Sequence, residues 1–352
     1  MISAAQLRSN LLVKLGERTG RTHALPMLLF APTARCNSRC VSCDWWRADG
    51  KSDLSREEIA VLAGDLARFG TKVVVFTGGE PLLRPDVMEV ADLFLERGLT
   101  LQLLTSGLAL ERHAPAIAAR FSAVVISLDG HTPALYQRIR GIDGLELVTA
   151  GVARLRGIAP HLSVRARSTL HRHNFRHLPD LIDRAREMKL DQISFLAADV
   201  TSGAFNRPPG ALPLADAPPV NELLLDEADT AEFARVVEET VESRGADFAA
   251  GRVAPQPDGL RRLVRYYRAQ LGREPFPPVD CNAPWMSVLV EADGAVRPCF
   301  FHPAVGNLRQ RPLGELLGLE MPAFRRKLRV ESDPVCGRCV CTIKVGLRSR
   351  IW

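Results

Sequence analysis

A length of 352 residues allows two or three domains, and a hydrophobic fraction of 46% supplies enough apolar side chains for sizeable cores, which excludes disordered chains and small disulfide scaffolds. The formal charge of +6 comes from 46 Lys and Arg residues interspersed with 40 Asp and Glu residues, without a basic stripe, so we expect no nucleic-acid partner. The sequence shows no signal-peptide pattern and no run of about 18 apolar residues, which predicts a cytoplasmic protein that does not enter a membrane.

The first half of the chain repeats one unit, a short β-rich run followed by a helical stretch. Six such units predict an α/β fold with a parallel sheet, arranged as a partial (β/α)6 barrel rather than a closed eight-stranded one. The predicted strands cover residues 26–30, 72–77, 100–105, 122–128, 162–169 and 192–197. Apolar positions three and four apart predict helices over 55–69, 84–97, 144–155 and 175–188.

The composition changes after the sixth unit. Residues 207–219 are rich in Pro, Gly and Ala and are expected to form a loop, followed by helices over about 226–244 and 259–271. Short strands over 287–291 and 295–299, joined by a turn at Asp293-Gly294, begin a small cysteine-rich region. The expected organisation is therefore an N-terminal extension (1–25), a barrel (26–205), a linker with helices (206–277) and a C-terminal domain (278–352).

Strand periodicity indicates which polar residues face the inside of the barrel. In the fourth strand Ser127 and Asp129 alternate with apolar residues, and in the fifth strand Arg165 and Arg167 do the same. We expect these four side chains near the carboxyl-terminal mouth of the barrel, where the two arginines would suit carboxylate or phosphate groups of a ligand.

Eight cysteines fall into two groups, with none between residues 44 and 280. In a chain without a signal peptide, such groups indicate metal or redox centres before disulfides. The first group, Cys36-x3-Cys40-x2-Cys43, follows the first predicted strand. Three thiolates can hold three irons of a cubane and leave the fourth iron open to a ligand. Zinc is the alternative, but it requires a fourth protein ligand, and neither Asp44 nor His23 is an obvious one.

This cysteine motif, together with Gly78-Gly79-Glu80-Pro81 after the second strand, resembles the radical S-adenosylmethionine (radical SAM) superfamily. The resemblance implies that Cys36, Cys40 and Cys43 ligate a [4Fe-4S] cluster whose open iron binds S-adenosylmethionine (SAM). Reduction of the cluster then cleaves SAM to a 5′-deoxyadenosyl radical, which removes a hydrogen atom from the substrate. Gly78 and Gly79 permit close backbone approach, and their carbonyls with the Glu80 carboxylate would hold the methionine ammonium.

Other positions fit the same family with less specific motifs. Ser127 and Arg140 correspond to residues that contact SAM in this family, and the arginine can pair with the SAM carboxylate. Ser106 corresponds to a position close to the adenosine. Relatives commonly have an aromatic residue before the third cysteine, whereas this chain has Ser42. Trp45 either covers the adenine instead or, with Trp46, caps the apolar edge of the barrel.

The C-terminal cysteines resemble the auxiliary-cluster domain of the SPASM and twitch group. Cys281, Gly294-x4-Cys299 and Cys336-x2-Cys339 carry the resemblance, which implies a second, auxiliary [4Fe-4S] cluster. Five remaining cysteines support one cluster and the shorter twitch form, because a two-cluster domain requires about seven. Cys341 is then a free thiol, an alternative ligand or a redox-active group, and a zinc ribbon remains the alternative for the whole set.

Three histidines, His171, His173 and His177, follow the fifth strand closely enough to suggest a further metal site. Their position in a loop and at a helix start, with Asn174 as a helix cap, predicts instead that they are loop and surface residues.

The expected activity is that of a radical SAM oxidoreductase or other radical-based enzyme acting on a small molecule, by oxidation or rearrangement, in natural-product or cofactor biosynthesis. A peptide-modifying enzyme is the alternative. The short segment before Cys36, of only 35 residues, favours the small molecule. A non-enzymatic iron-sulfur or zinc protein is the second alternative. Asp129 and Asp199 are the candidates for a general base, and a flavodoxin or ferredoxin is the expected electron donor.

Overall fold

A single ten-stranded sheet organises the molecule in the computed structural model, which describes residues 2–207 and 222–351. The six predicted strands are present in the predicted order and are parallel. Their bounds are β1 Met27–Phe30, β2 Val73–Phe76, β3 Thr100–Thr105, β4 Phe121–Ser127, β5 Ser163–Leu170 and β6 Gln192–Ala197.

Helices cover one face of these strands and bury an apolar layer. They are α2 Arg56–Leu66, α3 Val87–Leu95, α4 Leu110–Arg120, α5 Pro133–Arg140, α6 Leu145–Ile158 and α7 Leu178–Glu187, preceded by α1 Ala4–Thr19. Phe30, Phe76 and Phe94 meet edge to face beneath them, with ring centroids 5.4 to 5.8 Å apart. The helix predicted from residue 55 begins at Arg56, after the N-cap Ser55, whose side chain forms a capping box with Glu58. These caps and periodic apolar positions explain why the barrel elements follow the predicted pattern.

The region after the sixth strand returns to the barrel. Helices α8 Glu227–Ser243, α9 Gly245–Ala249 and α10 Pro257–Gln270 pack outside it, and the short β7 Val253–Ala254 pairs with β6. The predicted loop at 207–219 lies outside the described residues, apart from Arg207.

The C-terminal region shares the sheet of the barrel. After α11 Ala283–Met286, strand β8 Ser287–Val290 pairs in parallel with β1, and β9 Ala295–Arg297 and β10 Gly306–Asn307 extend that edge antiparallel. All four residues of β8 are buried, and a strand buried on both faces belongs inside a sheet. The chain continues through α12 Leu313–Glu315 and α13 Met321–Lys327 to the last cysteines. The auxiliary cysteines are thereby fixed directly beside the first barrel strand.

Helix α1 fastens the N-terminal extension to the C-terminal tail. Val13 packs with Met286 and Val345, and the Asn10 side-chain amide donates hydrogen bonds to the carbonyl oxygens of Leu347 (3.0 Å) and Ser349 (2.9 Å). The two ends of the described chain therefore lie together behind β8.

Candidate functional site

The three cysteines after β1 line one chamber of about 230 Å³ at the carboxyl ends of the barrel strands. Their thiols are free. The loop that carries them is held by the end of α5, because the Arg39 and Val41 N–H groups donate to the Arg140 and Ile139 carbonyl oxygens at 2.8 and 3.0 Å. Gly141 ends α5 with φ of 69°, and a Cβ there would lie 2.6 Å from the Arg39 carbonyl oxygen.

Gly78 and Gly79 admit the cysteine loop against the end of β2. Gly78 has φ of 96°, a conformation that favours glycine. A Cβ on Gly79 would lie 2.2 Å from the Arg35 carbonyl oxygen, and the next amide, Glu80 N–H, donates to that same oxygen at 2.7 Å. These glycines therefore allow two backbone segments to touch, in addition to lining the chamber.

Glu80 is directed away from the chamber surface. Its carboxylate is fully buried and accepts hydrogen bonds from the Thr105 hydroxyl (2.9 Å), the Ser106 N–H (2.6 Å) and the Leu82 N–H (3.0 Å). It is absent from the residues that line the chamber. In this structure, backbone and hydroxyl donors at the ends of β2 and β3 hold the Glu80 carboxylate, and its contact with a ligand ammonium stays a prediction.

Arg140 supplies the positive charge of the chamber. Its Nη1 donates to Asp129 Oδ2 at 3.1 Å, and its buried Nε has no hydrogen-bond partner among the described residues. Burial alone would lower the pKa of Arg140, but Cys40, Tyr136 and Asp129 hold that pKa well above its usual value. Ser106 and Ser127 line the same chamber. A permanent cation that lines the same chamber as two hydroxyls suits a carboxylate.

Both carboxylates that the sequence suggested as bases are paired with arginines. Asp129 also accepts the Thr169 N–H at 2.8 Å and does not line the chamber. Asp199 does line it, but its Oδ2 accepts from Arg207 Nη1 at 2.8 Å, and both side chains of this pair are at most 4% exposed. The geometry therefore gives both carboxylates an anchoring contact.

Arg207 and Phe205 are chamber residues that the sequence analysis missed. Arg207 Nη2 donates to the carbonyl oxygens of Asp199 (2.8 Å) and Ser42 (3.0 Å), so it ties the end of β6 to the cysteine loop. Phe205 lies beneath its guanidinium, 5.3 Å from ring centre to Cζ. Both residues belong to a loop without periodicity, so the sequence offered no signal for either.

Trp45 forms part of the chamber wall and is buried against Ala31, Ala34 and Ala292. Trp46 lies outside this wall, with the Arg47 guanidinium 4.8 Å from its ring. The two tryptophans therefore differ in position, and of the two only Trp45 is available to a ligand in the chamber.

Arg165 and Arg167 share the face of β5 that carries the chamber residue Thr169, and both are exposed. Arg167 donates to Ser194 Oγ on β6 at 3.3 Å. Arg165 donates to Ser163 Oγ at 3.1 Å, below the mouth of the barrel, and does not reach the chamber. The burial of β5 residues therefore alternates as predicted, but neither Arg165 nor Arg167 lines the chamber.

All five C-terminal cysteines line a second cavity, of about 50 Å³, whose remaining wall includes Leu29 of β1. Cys341 therefore lies with the other four rather than apart from them. His302, which the sequence analysis did not single out, also lines this cavity, and its Nε2 is 3.2 Å from Cys336 Sγ. Burial raises the pKa of Cys341, and the charge of Arg167 partly opposes this shift. Phe301 lines both cavities, so the chamber borders the second cavity.

The prediction that the histidines after β5 are surface residues is wrong for His171. Its side chain is fully buried, and burial lowers its pKa to about 3. Asn174 accepts the His171 N–H through Oδ1 at 2.8 Å and does not cap the following helical turn. The loop turns inward because Asn174 also donates to the Asp129 carbonyl oxygen, at 3.0 Å.

The donor chemistry of both cavities fits iron-sulfur clusters. Thiolates around a single zinc ion lie about 3.8 Å apart. Neither cysteine set, within the residues described, has three sulfur atoms all within 4.8 Å of one another, although His302, Asp333 and Cys336 bring one donor atom each within that distance. Burial raises the pKa of Cys36 to about 11 and that of Cys43 to about 12, so the bound metal itself must stabilise the thiolates.

Comparison with protein families agrees with this geometry. Residues 30–185 match the radical SAM superfamily, and residues 281–340 match the SPASM iron-sulfur cluster-binding domain. SuiB of Streptococcus suis, in a crystal structure bound to precursor peptide SuiA, aligns with a TM-score of 0.64 at 14% identity, over 94% of this chain and 74% of SuiB. At that identity the likeness concerns the fold.

Two relatives come from Methanosarcina barkeri. Fe-coproporphyrin III synthase is 33% identical over 48% of this chain and 43% of its own length, and AdoMet-dependent heme synthase is 25% identical over 94% of this chain and 93% of its own. The chain spans about half the length of the first of these and of two GTP 3′,8-cyclases that it matches.

The fold and the paired cysteine cavities define an iron-sulfur enzyme, and its relatives are named synthases and cyclases. Residues 30–185 belong to the radical SAM superfamily, and residues 281–340 form a SPASM domain. This domain pair implies a [4Fe-4S] cluster, SAM and auxiliary iron-sulfur binding. Within the described residues, no helix is both long and apolar enough to cross a membrane.

Proposed function

We propose that the protein uses SAM to generate a radical in the chamber formed by Cys36, Cys40 and Cys43. When bound and reduced there, a [4Fe-4S] cluster supplies the electron that cleaves SAM to a 5′-deoxyadenosyl radical, which abstracts hydrogen from the substrate. The observation that carries this proposal is the convergence of three free thiols, with no fourth cysteine, beside the cationic Arg140 in one chamber.

The chamber residues divide the binding of SAM among them. Arg140 pairs with the carboxylate through its guanidinium, with Ser127 as a neighbouring hydroxyl donor. The Gly78 and Gly79 carbonyl oxygens accept hydrogen bonds from the ammonium. Glu80 fixes the end of β2 to the end of β3 through its hydrogen bonds. Ser106 and Trp45 border the adenosine. Arg207 holds the cysteine loop to β6 and so keeps the thiols in place.

The substrate is a small molecule with an anionic group, which the enzyme oxidises or rearranges. Arg167 supports this class, because its guanidinium is exposed on the lumen face of β5 and donates to the neutral Ser194 hydroxyl, which leaves its charge available to an anionic group. The match to AdoMet-dependent heme synthase, which extends over 94% of this chain, supports a small molecule as well.

A peptide substrate is the second candidate, favoured by the peptide bound to SuiB in the similar fold. The two candidates differ in what must enter the lumen. Substrate turnover in the presence of a linear acidic peptide separates them, since competition by the peptide would favour the peptide class.

The SPASM region holds an auxiliary [4Fe-4S] cluster through Cys281, Cys299, Cys336 and Cys339. In a net oxidation this cluster would take the second electron from the substrate. Turnover with and without a stoichiometric reductant tests this role, because a strict requirement for reductant contradicts net oxidation. A flavodoxin or ferredoxin delivers the electron that starts the reaction.

Anaerobic reconstitution, iron counting and a 5′-deoxyadenosine assay with dithionite and SAM test the proposed function. We expect about eight irons per chain in the wild type, and about four irons with no product in Cys36→Ala/Cys40→Ala/Cys43→Ala. Zinc in place of iron, or wild-type protein that forms no 5′-deoxyadenosine, would overturn the proposal.

A further inference from the structure

His302 is buried beside the auxiliary cysteines, with only 4% of its surface exposed. Its Nε2 lies 3.2 Å from Cys336 Sγ, and its ring packs edge to face on Phe324 with centroids 4.9 Å apart. Packing on one side and the sulfur on the other fix the direction of the imidazole. The contact therefore belongs to the folded core of this region.

The sulfur is the nearer of two acceptors available to Nε2. Asp333 Oδ1 lies 3.6 Å from Nε2 and already accepts the backbone N–H groups of Val335 and Cys336, both at 2.9 Å. A thiolate bound to iron carries no proton, so a hydrogen bond between these two atoms requires Nε2 to be the donor. The geometry thus defines an N–H···S bond from His302 to Cys336.

Cys336 differs in this respect from its neighbours. Among the described residues, Cys281 and Cys339 accept hydrogen bonds only from backbone N–H groups, those of Ala283 at 3.5 Å and Cys341 at 3.4 Å. The imidazole is thus an additional donor, directed at one sulfur of the set, and a side-chain donor can be removed by substitution without altering the backbone.

We propose that His302 is a positioning residue that raises the reduction potential of the auxiliary cluster by donating a hydrogen bond to Cys336. The donor draws electron density from the thiolate and so stabilises the more negative, reduced form of the cluster. The inference rests on the proposed function, because it requires an auxiliary cluster on these cysteines. A more positive potential makes this cluster an electron acceptor rather than a donor.

The test uses full-length protein carrying Cys36→Ala/Cys40→Ala/Cys43→Ala, so that the auxiliary cluster alone contributes signal. In this background the reduction potential is measured by EPR-monitored redox titration for His302, His302→Leu and His302→Gln. We expect His302→Leu to shift the potential to more negative values at unchanged iron content, and His302→Gln, which keeps an N–H donor, to recover much of that shift. Phe324→Leu, which alters packing but keeps the donor, is the matched control and is expected to move the potential less than His302→Leu.

An unchanged potential in His302→Leu with about four irons bound would overturn this inference and leave the proposed function intact. A strong nitrogen hyperfine coupling to the cluster would also overturn it, because His302 would then be a ligand. If the triple-alanine protein that retains His302 assembles no auxiliary cluster, both the inference and the assignment of that cluster are overturned.

Discussion

The two cysteine cavities differ in their polar groups and in their surplus of sulfur ligands. The barrel chamber offers three thiols with the guanidinium groups of Arg140 and Arg207 and several hydroxyls, in about 230 Å³. The auxiliary cavity offers five thiols and one imidazole in about 50 Å³, with largely apolar walls. A site short of one ligand with polar walls can bind a substrate molecule at the metal, whereas a site with surplus ligands holds its metal closed. The difference supports the proposal that the chemistry takes place in the first cavity and that the second serves electron transfer or support.

The largest expected effect separates the cavities by their metal. Cys299→Ser should lose the auxiliary cluster, about four irons, and keep the irons of the barrel chamber, because the two cavities have no cysteine in common. Iron analysis with Mössbauer spectroscopy measures this. Loss of all eight irons would show that the cavities do not assemble independently. An unchanged far-ultraviolet circular dichroism spectrum of the variant is the control for its folding.

Gly79→Ala tests whether the chamber depends on contact between two backbone segments. The added Cβ would lie 2.2 Å from the Arg35 carbonyl oxygen, so the cysteine loop must move. A displacement of about 1 Å lowers catalysis about 100-fold, and we expect at least that loss in 5′-deoxyadenosine formation. Gly64→Ala is the matched control, because its Cβ meets nothing within 4 Å. Equal rates in the two variants would contradict the account.

Arg140→Gln tests the charge of the chamber. Losing a charge-assisted hydrogen bond of about 1.5–3 kcal/mol should weaken SAM binding about 10- to 100-fold, measured by equilibrium dialysis. The variant also leaves Asp129 buried without its cation, which costs about 3–5 kcal/mol of unfolding free energy. Arg140→Gln/Asp129→Asn should recover much of that stability without recovering affinity. Recovery of both would mean that Arg140 acts only through Asp129.

The smallest expected effect concerns the surplus thiol. Cys341→Ser should retain about eight irons, because four other cysteines line the same cavity. Iron content measured beside Cys299→Ser gives the comparison. Equal loss in the two variants would make Cys341 a required ligand and would displace one of the other four.

The barrel could be predicted from the sequence because its signals are local. The six strands are apolar runs between turns, and the helix start at Ser55 carries its own capping box. The pairing of β8 with β1 joins residues about 260 positions apart, and nothing in the local pattern specifies it.

The site could be predicted where it depends on motifs and not where it depends on side-chain direction. The cysteine spacing and the Gly-Gly pair identified the chamber, and the burial of β5 residues alternates as predicted. The buried orientation of Glu80 follows from donors on another strand, and the Arg207 contact follows from an aperiodic loop. Both the Glu80 orientation and the Arg207 contact depend on tertiary contacts, which the local sequence does not specify.

The most direct test of the comparison is EPR spectroscopy of the reduced protein before and after addition of SAM. The account predicts signals from two clusters, of which SAM changes one, and no SAM-dependent change in Cys36→Ala/Cys40→Ala/Cys43→Ala. A SAM-induced change in the signal that remains in this triple variant would contradict the assignment of chemistry to the barrel chamber.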